Sequence, residues 1–148
     1  MSGENGRVAG VTTWEGVDRK AKLTALCVGS FTQARLTIGN SVEAAGRLSE
    51  MAYDDLYDDL ALKGFRFEDL NLKAPPSAGS LPYEVTCKTL APEEYDISTM
   101  ALPRLAGLYA AGLCASGYVT YEEAAEQGMT LAKELTLALQ GLADSAKR

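Results

Sequence analysis

Seven residues near the middle of the chain, 74–80 (Ala-Pro-Pro-Ser-Ala-Gly-Ser), exclude a continuous helix or strand there. The paired prolines remove two amide donors and fix φ, and the glycine and serines that follow favour turns. With Pro82 and Pro92 close by, the break divides the chain into two runs, each of which must build its own regular structure. Between those two prolines, 83–90 (Tyr-Glu-Val-Thr-Cys-Lys-Thr-Leu) is rich in β-formers and predicts a strand. The whole stretch 65–97 therefore reads as an extended insertion.

Helical spacing dominates on either side. After Asn40 or Ser41 as N-cap, Val42, Ala45, Leu48, Ala52, Leu56 and Leu60 recur at helical intervals, and Lys63-Gly64 supplies a stop. Thr120 and Glu123 form a capping box that opens another helix, carrying Ala124, Leu131, Leu135, Ala138 and Leu142. Two shorter helices are expected, one over 18–29 and one starting within 98–103 and stopping at Gly117. For the first of these, the β-formers of 23–28 leave a strand reading open. The predicted class is mainly α: about four helices in a small bundle, with the extended insertion between helices two and three. Residues 1–148 then form one helical domain, with 1–15 a flexible arm and 144–148 a C-terminal tail.

Composition narrows the chemistry. The chain has no histidine, which removes Ser-His-Asp and Cys-His pairs, His-ligated zinc and imidazole acid–base work. Its net charge of -6 argues against a dedicated nucleic-acid or anionic-membrane binder. Cys27, Cys87 and Cys114 are widely spaced with no C-x-x-C pair, which predicts reduced thiols. No apolar run is long enough to predict a membrane span. The residues single out no catalytic group, no metal site and no cofactor, so a non-enzyme is expected.

The acidic excess is concentrated. Glu43, Glu50, Asp54, Asp55, Asp58 and Asp59 would share the predicted helix over 41–63. Like-charge pairs four residues apart cost a few tenths of a kcal/mol each, which invites a functional reason: a channel lining or a face for a basic partner. A solvated helix face explains the same residues. Taken with Glu122 and Glu126, the carboxylates Asp54, Asp55 and Asp58 also resemble the acidic sets of Mg²⁺-dependent all-helical nucleotide or diphosphate hydrolases. A small acidic inhibitor or assembly chaperone, presenting the face 43–59, is a further reading.

The order of parts resembles tailed-phage head-to-tail adaptor (connector or neck) proteins. The helix predicted over 41–63, closed by Gly64-Phe65-x-Phe67, is similar to that family's long helix. An insertion with Leu81-Pro82 follows, and then a small-residue helix over 101–117 and a long one over 120–143. The resemblance implies a structural virion protein that forms a dodecameric ring of itself below the portal and joins capsid to tail. DNA would pass through without sequence-specific binding, along Glu43, Glu50, Asp54, Asp55, Asp58 and Asp59. Tyr83, Val85, Lys147 and Arg148 would touch the portal or neighbouring subunits. The implied location is the virion neck, assembled in the host cytoplasm, with no membrane partner.

Overall fold

Among the described residues, short strands outweigh helix in the first half of the chain. The computed structural model describes residues 2–4, 6–29, 32–46, 51–74 and 82–145. Strands β1 (Ser2–Glu4), β2 (Arg7–Thr12) and β3 (Asp18–Lys20) form an antiparallel sheet in that order. Gly10 makes the pairing of β2 with β3 feasible: its φ is +146°, and a Cβ there would lie 2.1 Å from the Arg19 carbonyl oxygen. Next come β4 (Thr24–Leu26), β5 (Arg35–Ile38), β6 (Ser41–Glu43), helix α1 (Asp54–Leu62) and β7 (Phe67–Ala74). The chain ends with β8 (Tyr83–Leu90), a 3-10 turn (Pro92–Glu94), β9 (Leu108–Ala110), the short α2 (Leu113–Ser116) and the long α3 (Tyr121–Ser145).

Strand β8 organises the larger sheet, of order β6-β5-β8-β7, in which every neighbouring pair is antiparallel. Its alternation places Val85 and Cys87 inward, and the register sets Leu72 and Leu70 of β7 directly opposite them. Leu36 of β5, also opposite Val85, completes this face together with Ala34 and Leu113. A second cluster gathers Val8, Leu26, Leu60, Phe65, Leu90, Leu102, Leu105, Leu108, Ala110, Cys114 and Ala115 from widely separated stretches of sequence. Its centre is the parallel pairing of β4 with β9, in which Thr24, Ala25 and Leu26 face Leu108, Tyr109 and Ala110.

The mainly helical bundle is therefore corrected to a mixed α/β fold. Over 18–29 the strand reading prevails, because β3 pairs with β2 and β4 with β9. Among the described residues the expected helix over 41–63 is helical only from Asp54, and Ser41–Glu43 pairs with β5 instead. Between 98 and 117, Met100, Gly107 and Gly112 take φ values of +58°, +84° and +83°, which no α-helix accommodates. Backbone bonds from Ala111 N–H to the Leu26 carbonyl and from Leu102 N–H to the Leu108 carbonyl replace the helical ladder there. Two expectations hold residue for residue. Strand β8 spans 83–90, and the capping box opens α3, with Glu123 Oε2 accepting from Thr120 N–H at 2.7 Å and Thr120 Oγ1 accepting from Glu123 N–H at 3.2 Å.

One buried charge ties the turn after β8 to the segment before β9. Glu94 is only 3% exposed, and its carboxylate accepts two bonds from Arg104, at 2.8 and 2.6 Å. Arg66 adds a contact at 3.6 Å. The Arg104 guanidinium also stands 5.7 Å from the centroid of the buried Phe65 ring. These hydrogen bonds, those from Arg104 first, hold the Glu94 carboxyl below its ordinary range despite burial.

Candidate functional site

Parallel strands in α/β proteins present their carboxyl ends to ligands, because the connections that leave them open a crevice. Here both strands of the parallel pair exit through glycine turns: β4 through Cys27, Val28 and Gly29 (φ +73°), and β9 through Ala111 and Gly112 (φ +83°). Gln127 of α3 clamps the second turn. Its Oε1 accepts from Gly112 N–H at 2.7 Å, and its Nε2 donates to Ser116 Oγ at 3.0 Å. From the other side, the buried Thr89 of β8 holds both ends of α2. Its hydroxyl donates to the Leu113 carbonyl at 2.9 Å and accepts from Gly117 N–H at 3.1 Å. Side chains from two different elements thus fix one glycine-bounded loop, as a site built for constant geometry requires.

Beside this loop lies an open cleft of about 390 Å³, lined by Met100, Ser116, Tyr118, Glu126, Gln127 and Thr130 among others. That volume is at the lower end of the range for small-ligand sites. Its hydroxyls and amide can donate or accept, and Tyr118, 71% exposed, offers a free aromatic face. At the rim, the backbone amide of Thr120 holds the Glu123 carboxyl below its usual range, so Glu123 stays an anion that caps the helix. The thiols divide by burial. Burial pushes Cys114 and Cys87 up to about 11, so they remain protonated, whereas Cys27 is exposed at the end of β4. Among the described residues no group of three or more His, Cys, Asp or Glu side chains is placed to hold a metal ion.

The acidic residues singled out from sequence do not share one helix face. Glu43 closes strand β6, and Glu50 lies outside the described residues. Asp54 forks onto Arg35 of β5 at 2.9 and 3.1 Å, and Asp59 pairs with Lys63. Asp55 and Asp58 are exposed. Because α1 begins at Asp54, Asp54 and Asp55 sit in its first turn, where the helix dipole favours them. Of the expected portal or neighbour contacts, Val85 is 2% exposed within the sheet core, and Tyr83 is half-buried at the start of β8, in register with Ile38 and Ala74. Lys147 and Arg148 lie outside the described residues. Gln127, Ser116 and Thr89 were not singled out from sequence, whereas Tyr118 is one of the tyrosines that could stack on a base or pack at an interface. The signal for them was the strand-glycine pattern Leu-Tyr-Ala-Ala-Gly ahead of a capping box, which the small residues disguised as helix.

The family model described as glucose inhibited division protein A (GIDA) matches residues 1–80. The tRNA uridine 5-carboxymethylaminomethyl modification enzyme MnmG of Flavobacterium johnsoniae is 32% identical over 73 residues, which are 49% of this chain and 12% of that enzyme. The enzyme of the same name from Porphyromonas gingivalis is 28% identical over 107 residues, 70% of this chain and 17% of the relative. In structure, the GidA-related protein from Thermus thermophilus matches with a TM-score of 0.81 and 44% identity, covering 91% of this chain and 57% of that one. Aquifex aeolicus GidA shares the fold, with a TM-score of 0.81 at 16% identity, covering 93% of this chain and 43% of that one. This chain thus spans only a small part of the curated relatives it matches.

These likenesses overturn the adaptor resemblance. Neither a phage portal and tail as partners, nor a ring in a virion neck, nor assembly there is supported by a family described as glucose inhibited division protein A or by relatives named as tRNA uridine modification enzymes. The helical diphosphate hydrolase and the acidic inhibitor or chaperone fall with it. The expectation of a non-enzyme fails too, since the relatives carry the name of an enzyme. Absence of histidine removed imidazole chemistry, not catalysis in general; a site can draw its chemistry from groups other than the side chains of one stretch of sequence.

Proposed function

The chain belongs to the glucose inhibited division protein A family, and from that premise we propose that it is a functional part of an enzyme that modifies uridine in tRNA. The observation that carries this reading is the family match over 1–80, joined to relatives named for that reaction. The 44% identity to the T. thermophilus GidA-related protein across nearly all of this chain supports it. In this reading residues 1–148 act as one domain, in keeping with a core that joins Val8 to Ala115. With a net charge of -6, the chain is poorly suited to gripping an RNA backbone, so its part is to hold a small ligand in the cleft lined by Met100, Ser116, Tyr118 and Gln127.

The test is genetic and chemical. Deleting the coding gene in its own organism and analysing total tRNA nucleosides by mass spectrometry should reveal loss of a modified uridine, restored by the intact gene. An unchanged nucleoside profile would refute the reading. Restoration by a Tyr118→Ala gene at the wild-type level would remove the cleft from the account while leaving the family role intact.

A further inference from the structure

Two of the three thiols meet where the parallel pair β4–β9 ends. Cys27 follows β4 directly and is exposed, whereas Cys114, on α2, is only 6% exposed within the core cluster around that pair. The Cys114 Sγ lies 3.7 Å from the Leu26 carbonyl oxygen and 3.5 Å from that of Ala111, two acceptors for its single proton. Burial pushes this thiol up; the Val28 amide opposes the rise, the Cys27 thiol adds to it, and the Gly29 amide again opposes it. Residues on both sides of Cys27 thus act directly on the Cys114 sulfur.

Covalent geometry carries the contact to Cys27 itself. A carbonyl oxygen is about 2.8 Å from the next Cα, so the Cys114 sulfur stands at most about 6.5 Å from the Cys27 Cα. Disulfides join residues whose Cα atoms are about 4.4–6.8 Å apart. Room to adjust is present, since no described atom lies within 4 Å of a Cβ placed on Gly29, in the same turn. Cys87 belongs to the other core cluster, against Leu36 and Val85, and is no competitor for this pairing.

We propose that Cys27 is an oxidation-sensitive modification site and that Cys114 resolves it, closing a disulfide that ties the exit turn of β4 to α2. The oxidant is a low-molecular-weight disulfide. The Cys27 thiol loses its proton to solvent, its sulfur attacks one sulfur of the reagent, and the other leaves as a thiolate that takes up a proton. Cys114 then gives its proton to solvent as it attacks the Cys27 sulfur, and the second small thiol departs. Two protein thiols are oxidised and one small disulfide is reduced to two thiols. The new bond fixes the segment that carries Ser116 of the cleft. Alkylation of Cys27 ends the sequence at its first step. The inference rests on the fold and holds whether or not the tRNA reading does.

The test incubates the reduced 148-residue chain with oxidised glutathione at about pH 8, followed by acid quench, alkylation, intact mass and peptide mapping. A glutathione adduct on Cys27 should decay to a monomer linked from Cys27 to Cys114, with two glutathione thiols released per chain. Cys114→Ser should stop at the Cys27 adduct. Cys27→Ser should slow oxidation of Cys114 at least tenfold, and Cys87→Ser should change neither step. Cys27→Ser, at an exposed position, decides the matter if Cys114→Ser does not fold. A wild-type chain that stops at the adduct overturns the inference, as does a link to Cys87. A dimer joined through Cys27 would assign that thiol to a second copy and overturn it equally.

Discussion

Replacing Arg104 by methionine keeps an unbranched stem near Phe65 but removes the fork that compensates Glu94. The Glu94 carboxylate, 3% exposed, would then keep Arg66 at 3.6 Å as its cation. Removing one partner of a fully buried ion pair costs about 3–5 kcal/mol. Arg66 remains, and Arg104 is itself 42% exposed, so solvent screening lowers the expected loss to about 2–3 kcal/mol. Glu94→Gln should cost less, about 1 kcal/mol, because an uncharged amide still accepts from Arg104 and the exposed guanidinium is solvated. At roughly 3 °C per kcal/mol for a chain of this size, the melting temperature of Arg104→Met falls by about 6–9 °C. Urea unfolding at neutral pH, followed by circular dichroism, measures both single variants and the double. The double should be less destabilised than the sum of the singles by more than about 0.5 kcal/mol, the usual limit of additivity for independent sites. Equal single effects, or strict additivity, would refute the argument from a buried carboxylate. The acid limb gives an independent check. The folded Glu94 carboxyl lies below its ordinary value of 4.5, so the pair stabilises fully above that pH. The contribution is lost as pH falls from 4.5 through the depressed folded value, and Arg104→Met should flatten the stability curve in that window.

Other expectations follow from burial and backbone geometry. Of the three cysteines only Cys27 is exposed, while burial holds Cys87 and Cys114 near 11, so an alkylating reagent at about pH 8 should titrate one equivalent natively and three in urea. Thr120→Ala removes the hydroxyl that accepts from Glu123 N–H and should cost about 1 kcal/mol, read as lower thermal stability. Gly107→Ala would put a Cβ 2.8 Å from the Lys22 carbonyl oxygen, whereas Gly112, at a similar positive φ, has open space around it. Gly112→Ala should therefore cost about 1–3 kcal/mol of backbone strain alone, because φ +83° with ψ -163° is a glycine-only conformation, and Gly107→Ala about 1–3 kcal/mol more, by the same melt.

What the sequence made legible was local. Strand β8 and the opening of α3 depend on alternation between prolines and on a reciprocal cap three residues apart, and both stand where they were placed. The three-residue strands depend on partners that no short window contains. Ser41–Glu43 continues without interruption into an apolar pattern of helical spacing, and only pairing with Leu36, Thr37 and Ile38 makes it a strand. The run 101–117 is rich in alanine and leucine, good helix formers, and its glycines can be tolerated in a helix at modest cost. In the fold those glycines take positive φ, and the alanines give the tight packing that β9 and α2 require. The site shared that fate. Gln127 and Ser116 matter because Gly112 is a turn, and a helical reading of that turn leaves them without a role.

The core built around β4 and β9 also dictates an order of events during synthesis. Val8, Leu26 and Leu60 find their neighbours in Leu102, Leu108 and Cys114, and Thr24 has no ladder partner until Leu108 has been made. Such contacts have high contact order, so loop closure must be achieved before burial rewards it, and folding is correspondingly slow. A nascent chain that has emerged only as far as β8 can close its antiparallel sheet while leaving Val8 and Leu26 uncovered. For that interval the apolar strand beside Ala25 is available to any neighbouring chain on the same message, and its protection becomes a matter of translation rate and chaperone supply.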